Sequence, residues 1–249
     1  MTCNKVSPIE LAVIIPTYNE KDNIILLLEK LDVVLSKTAY EIIVVDDNSP
    51  DGTWNVVSKA AIKTPEIRCI RRIGRKGLSS ACIEGMLSST APFLAVMDAD
   101  LQHDETILPF MLEELKRGGL DIVLGSRYVN GGGMEGWAKS RIFASRAATD
   151  FAKAVTGISV QDPMSGFFMV RREYFESVVT RLNSRGFKIL LDLLMSSHVP
   201  PRFKEIPYQF RLRHYGTSKL SVKVIMDYFM LVLQKGLQRR INLSKQISP

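Results

Sequence analysis

Cysteine is scarce in this chain, at three in 249 residues. Cys3, Cys69 and Cys82 are odd in number and show no C-x-x-C spacing. That excludes a disulfide framework and reads as reduced thiols in a cytosolic protein. Histidine is equally sparse, and His103, His198 and His214 are too scattered for a zinc site. Glycine-rich phosphate loops are missing: there is no G-x-x-x-x-G-K-[ST], and no G-x-G-x-x-G after the first strand, which argues against P-loop and dinucleotide enzymes. Long apolar runs are missing too. Val224 to Leu233 is apolar except for Asp227, but a bilayer span needs about 20 residues. Met1 to Glu10 lacks a cationic start followed by an apolar run, so no signal peptide is expected. No internal repeat or low-complexity segment is present.

Charge is present but unevenly placed. The formal net charge is +7, and from Arg202 onward there are 10 Lys/Arg against 2 Asp/Glu, so the whole excess is C-terminal. A positive end can face nucleic acid or the anionic surface of a membrane. No nucleic-acid motif accompanies it, which favours the membrane. Lys219, Lys223, Lys235, Arg239 and Arg240 flank the apolar stretch and suit an amphipathic helix lying in the interface. A helix packed on the domain with an exposed basic face fits the same residues. The expected division is a domain over 1–218 and a basic helical tail over 219–249.

What fills 1–218 is an alternation of strand and helix signals. A hydrophobic content of 46% suits one large α/β domain that needs no disulfide or metal for stability. Leu11 to Ile15 reads as a buried strand stopped by Pro16, and Ile24, Leu27, Leu28, Leu31 and Leu35 form one helical stripe. Strands follow at 41–45, 67–70, 93–97 and 121–125, and helices at 53–62, 78–88 and 105–117. Such alternation implies right-handed crossovers and a mostly parallel sheet flanked by helices. Beyond Ser126 the rhythm changes. Asn130 to Gly133 should be mobile, a helix is expected over 139–155 and another over 188–197, and strands over 167–171 and 205–210.

Ligands of open α/β sheets bind outside the carboxyl ends of the strands, and three expected strand ends carry polar clusters. Asp98-Ala99-Asp100-Leu101-Gln102 follows the run Phe93 to Met97. Two carboxylates and an amide oxygen so spaced can converge on Mg²⁺ or Mn²⁺. Asp46-Asp47 closes the second strand, and Pro16-Thr17-Tyr18-Asn19-Glu20 follows the first. Tyr18, Glu20 and Asp47 suit the base and ribose of a nucleotide, whereas Asp51 reads as a turn acid. With no phosphate loop, diphosphate charge must be met by a metal and by cations, for which Arg127, Arg213 and Lys219 are candidates.

Together these motifs resemble the dolichol-phosphate (polyprenyl-phosphate) mannosyltransferase family. The resemblance also includes Gly125-Ser126-Arg127-Tyr128, Asp162-Pro163-Met164-Ser165-Gly166-Phe167-Phe168, Gly186-Phe187-Lys188-Ile189-Leu190 and Gly216-Thr217-Ser218-Lys219-Leu220, and it covers roughly residues 10 to 222. It implies a Rossmann-like A-type glycosyltransferase fold and inverting transfer of a hexosyl group, mannose from GDP-mannose, to dolichyl or polyprenyl phosphate. By this resemblance Pro16, Tyr18, Glu20, Val45 and Asp47 would contact the nucleotide. Asp98, Asp100 and Gln102 would hold Mg²⁺ or Mn²⁺, with Ala99 beside the nucleotide. Arg127, Arg213 and Lys219 would meet donor or acceptor phosphates, and Arg141 would add a clamp on the lipid phosphate. Asp162 would support the acceptor side. Asp192 stands where relatives commonly have Glu. Relatives often carry membrane-spanning segments after this domain and none is seen here, so the expectation is a peripheral protein at the cytoplasmic face of a membrane, with a membrane-anchoring partner subunit as a further option. A UDP-glucose or other UDP-sugar donor is the alternative enzyme reading. A nucleotidyltransferase making nucleotide sugars is argued against by the absent glycine-rich loop, and a non-enzymatic lipid-phosphate-binding subunit by the intact acids and cations.

Overall fold

A computed structural model describes residues 8–136, 139–183, 188–197, 199–212, 230 and 232–237. Strands β1 (Leu11–Thr17), β2 (Tyr40–Asp46), β3 (Ile67–Arg71) and β4 (Phe93–Val96) alternate with helices α1 (Lys21–Leu35), α2 (Thr53–Lys63) and α3 (Leu78–Leu87). A 3-10 turn at Glu105–Ile107 leads into α4 (Leu108–Lys116), with Pro in its first turn, and β5 (Ile122–Ser126) follows. Then come β6 (Gly133–Met134), α5 (Lys139–Thr156), β7 (Phe168–Arg171), α6 (Arg172–Val178), α7 (Ile189–Ser196), β8 (Phe203–Pro207) and β9 (Gln209–Phe210). The main sheet has the order β3-β2-β1-β4-β7-β5-β8. Only β7 runs antiparallel in it, between β4 and β5.

Every residue of β1, β2, β4 and β5 is buried, because helices cover both faces of the sheet. Alternate side chains go to opposite faces. Leu11, Val13 and Ile15 join Ile24, Leu27 and Leu31 of α1 in one core, while Ala12 and Ile14 join Cys82 and Met86 of α3 in the other. Helix α3 lies close on the sheet because it carries Gly85, where a Cβ would stand 2.5 Å from Ile14 Cγ2.

Three local expectations are corrected. Strand β1 runs through Pro16 to Thr17 rather than stopping at Pro16. The Ile14 carbonyl faces β4, accepting from Met97 N, so Pro16 two residues on turns its missing N–H to the same side, past the last β1–β4 pair at Ile14 and Val96. Helix α6 was not expected; it buries Tyr174, Phe175 and Val178. The glycine segment expected to be mobile is tied down: Gly133 and Met134 pair with Gln209 and Phe210, Gly133 N donates to Tyr208 O at 3.1 Å, and Gln209 Nε2 donates to Gly131 O at 3.1 Å.

Candidate functional site

Strands β1 to β4 are parallel, so their carboxyl ends meet at one edge of the sheet, as does that of β5. The loops after β1 and β2 are fastened together by Asp46. Its fully buried carboxylate accepts from Thr17 Oγ1 (2.8 Å), Ser49 N (2.8 Å) and Ser49 Oγ (2.6 Å), and Ser49 Oγ in turn takes Asn19 N (2.9 Å). Asn19 and Asn48 sit at φ 58° and 55°, a left-handed conformation that asparagine tolerates better than most residues. Asp51 is the turn acid expected of it, accepting from Thr53 N (2.9 Å), Thr53 Oγ1 (2.7 Å) and Lys21 N (3.1 Å). Burial works to raise its pKa, but these donors prevail and hold the carboxyl below the usual range.

Asp47 takes a different position from its neighbour. Its Oδ2 accepts from Gly77 N at 2.7 Å, and its Oδ1 stands 3.1 Å from Nη1 of Arg72 but makes no hydrogen bond. Burial lifts the carboxyl above its ordinary range, although Gly77 and Arg72 pull the other way. Arg72 is itself buried, donating to Gly77 O (3.1 Å) and Ser80 Oγ (2.6 Å), with Glu84 3.4 Å from its Nε. Sequence reasoning missed Arg72, because Arg71 to Lys76 reads as a solvated basic loop. Lys76 Nζ lies 4.9 Å from the centre of the Tyr18 ring. Glu20 accepts from Asn23 Nδ2 at 2.8 Å, and its backbone N donates to Thr53 Oγ1 at 3.0 Å. Val45 and Ala99 turn their side chains into the core, and Pro16 is buried in β1.

The loop after β4 is tightly wound. Asp98 N donates to His103 Nδ1 (3.2 Å) and Gln102 N to Asp100 Oδ1 (3.2 Å), with Leu101 between them at φ 62°. Asp98 is partly exposed, whereas Asp100 is buried. Gln102 Nε2 donates to the Arg211 carbonyl at 2.9 Å, so the amide oxygen occupies the opposite end of the group. His103 is stacked on Phe167 with ring centroids 5.1 Å apart, and burial pushes its pKa down to about 4, so it is a neutral packing residue whose Nδ1 serves as an acceptor. Gly166 lets the facing loop come close, since a Cβ there would stand 2.8 Å from Asp98 Oδ2. Among the described residues no group of three His, Cys, Asp or Glu could hold a metal. Two carboxylates and an amide on one loop offer hard oxygens, a chemistry that fits a divalent cation able to draw further ligands from a phosphate-bearing substrate.

At the end of β5, Arg127 is not the open surface cation its sequence position allows. Its Nε and Nη2 donate to Asp162 Oδ2 and Oδ1 at 2.7 and 2.8 Å, and its backbone N adds a third bond at 3.1 Å. Asp162 is fully buried, and Glu205 of β8 holds its loop by accepting from Gln161 N (2.8 Å) and Asp162 N (3.1 Å). Burial pulls the Arg127 pKa down, but the Asp162 carboxylate more than offsets it and keeps the guanidinium charged. Lys188 stands at the head of α7. Burial and the charge of Arg127 depress its pKa, while Asp98 and Asp162 attract it, so it shares their electrostatic neighbourhood. The side chain of Arg141, and Arg213 and Lys219 altogether, lie outside the described residues.

The profile of Glycosyl transferase family 2 matches residues 12–179, which include the loops after β1, β2, β4 and β5. The dolichol-phosphate mannosyltransferase of Saccharomyces cerevisiae is 41% identical over 229 residues, covering 88% of this chain and 84% of its own length. The chain belongs to glycosyl transferase family 2, in its dolichol-phosphate mannosyltransferase branch. This glycosyltransferase is 42% identical over 221 residues to the dolichol-phosphate mannosyltransferase of Pyrococcus furiosus, covering 88% of the chain but 61% of the archaeal protein's length. The Mycosarcoma maydis protein of the same name is 36% identical over 231 residues, with 90% and 78% covered. Among solved structures, glucosyl-3-phosphoglycerate synthase from Mycobacterium tuberculosis, in complex with Mn²⁺, UDP-glucose and phosphoglyceric acid, superposes with a TM-score of 0.69 at 18% identity, covering 92% of the glycosyltransferase and 79% of the other chain. That likeness places the domain in the A-type glycosyltransferase fold expected from the sequence.

Proposed function

We propose that the enzyme transfers a hexosyl group, mannose from GDP-mannose, to dolichyl or polyprenyl phosphate with inversion. The observation that carries the reading is the gathering of the Asp98–Gln102 loop and the Arg127–Asp162 pair at one sheet edge, with Gly166 of the Asp162 loop brought against Asp98, in a chain whose relatives bear the name dolichol-phosphate mannosyltransferase. The base belongs beside Tyr18 and Asp47, whose Oδ1 makes no hydrogen bond within the described residues and is suited to a base N–H. Asp98, Asp100 and Gln102 would hold Mg²⁺ or Mn²⁺, which when bound supplies Lewis-acid stabilisation of the diphosphate's charge.

The acceptor phosphate oxygen is already an anion at neutral pH. It forms the new bond to the anomeric carbon as the bond to the GDP oxygen breaks, and the electron pair leaves with the diphosphate. No hydroxyl proton has to be removed, which agrees with a buried, neutral His103. Arg127, with its plane set by Asp162, and Arg141 are assigned to the acceptor phosphate, and Lys188, Arg213 and Lys219 to the donor side. Holding two anions in line is mainly a positioning effect. The tail from 219 to 249 is assigned to the cytoplasmic membrane surface, where the lipid resides, alone or beside an anchoring partner subunit. Among the described residues no helix is long and apolar enough to cross a membrane.

The test is a panel of radiolabelled nucleotide sugars offered with a short polyprenyl phosphate and Mg²⁺ or Mn²⁺. Mannose from GDP-mannose should enter the organic phase. Label entering only from a UDP-sugar would replace the donor, and donor binding without any transfer would leave a lipid-phosphate-binding subunit.

A further inference from the structure

Arg211 belongs to none of the motifs read from the sequence, and the mechanism above does not use it. Yet it is joined to the Asp98–Gln102 loop along both its backbone and its side chain. Arg211 N donates to Gln102 O at 2.9 Å, and Gln102 Nε2 donates back to Arg211 O at 2.9 Å. The guanidinium then forks: Nη1 donates to Glu105 Oε2 at 2.6 Å and Nη2 to Asp104 Oδ1 at 2.7 Å. Asp104 also caps the 3-10 turn after the loop by accepting from Thr106 N at 3.2 Å. The backbone of Arg211 therefore holds the Gln102 amide, and its guanidinium holds the two acids that follow.

The loop needs such a grip. Leu101 is held at φ 62°, in the left-handed region that a β-carbon disfavours by roughly 1–2 kcal/mol. A residue in that region persists only where its surroundings over-determine it. On its other side Arg211 follows β9, fixed by Met134 pairing with Phe210 and by Glu135 N donating to Phe210 O at 2.9 Å.

We propose that the Arg211 guanidinium is a positioning group for the cation site: by forking to Asp104 and Glu105 it clamps the far side of the Asp98–Gln102 loop against the end of β9, and so keeps Gln102 in register with the backbone carbonyl that takes its amide. This rests on the reading of Asp98, Asp100 and Gln102 as ligands. The experiment measures Mn²⁺ affinity of the purified full chain in the presence of GDP, by electron paramagnetic resonance or calorimetry, for the wild type, Arg211→Ala, Arg211→Lys and Asp100→Ala. Arg211→Ala should weaken Mn²⁺ binding on the order of tenfold, the usual effect of losing a residue that orients a ligand. Its melting temperature should shift little, because Arg211 is partly exposed and Glu105 keeps Lys30 at 3.2 Å as a partner. Arg211→Lys, able to reach one acid but not fork to two, should recover part of the affinity. Wild-type affinity in Arg211→Ala, with Asp100→Ala impaired, would overturn the proposal alone. Undiminished binding in Asp100→Ala would instead remove the ligand reading, and the proposal with it. Should Arg211→Ala not fold, Asp104→Asn and Glu105→Gln loosen the fork from the opposite side, and unchanged Mn²⁺ affinity in both would be equally decisive against it.

Discussion

Asp162 gives both carboxylate oxygens to Arg127 and has no exposed surface, whereas Asp98, in a loop just as polar, is partly open. The difference follows from what each touches. A buried carboxylate facing a guanidinium fork is held by two parallel charge-assisted bonds, and removing either partner strands the other without water. Asp162→Asn and Arg127→Ala should therefore each lower kcat by at least tenfold. The double variant Arg127→Ala/Asp162→Asn should be no worse than the poorer single one, because the two act as one unit. Steady-state kinetics of the four proteins check this, and strict additivity would show that the two side chains work independently. Asp47, Arg72 and Gly77 form a comparable group beyond the end of β2. The acidic half was legible from adjacent acids closing an apolar strand. The basic half was not, since a run such as Arg71 to Lys76 looks the same in sequence whether one arginine is buried or all are solvated.

At the scale of elements, the junctions carry more information than the elements themselves. Asp51 joins the starts of α1 and α2 through Lys21 N and Thr53 N. Its folded pKa lies below the ordinary value, so the unfolded chain binds the proton more readily. The stability it contributes is then complete above the ordinary aspartate pKa of about 3.9 and is lost as pH falls through the depressed folded value. Asp51→Ala should cost roughly 1 kcal/mol at neutral pH and flatten the acid limb of the stability curve, as read by urea unfolding between pH 2 and 7. A second junction ties the C-terminal segment to α7. Lys235 is buried against Asp192, donating also to Ser196 Oγ at 2.7 Å and Arg181 O at 3.2 Å, and Asn183 N donates to Asp192 on its other oxygen. Asp192 thus has a definite job, as the buried counter-charge of Lys235. Lys235→Ala should destabilise the protein by about 3 kcal/mol, because it leaves the buried Asp192 charge without its cation and with only Asn183 N and Ser196 Oγ as donors; thermal unfolding and proteolysis of the C-terminal segment would show it.

For the whole molecule, the two readings of the C-terminal segment meet in its described turn. Val232 and Lys235 face the domain, while Met230, Leu233 and Leu237 are exposed. The segment is thus packed on the domain on one side and apolar outward on the other. The basic excess from Arg202 onward should draw the protein to anionic vesicles, with binding that weakens steeply as ionic strength shortens the Debye length to about 8 Å and below. Flotation with and without anionic lipid at rising salt measures this, and salt-independent flotation would assign the attachment to the apolar face alone. The alternation of strands and helices over the first half, the parallel sheet and the carboxyl-edge acids all follow from local pattern, because a buried strand or amphipathic helix announces itself within a few residues. The position of antiparallel β7 between β4 and β5, the β6–β9 ribbon that fastens the glycine segment, the pairing of Arg127 with Asp162 and the grip of Arg211 on Gln102 were decided only by tertiary structure. Each joins residues far apart along the chain, and no local periodicity records which distant partner satisfies a buried charge or an unpaired strand edge.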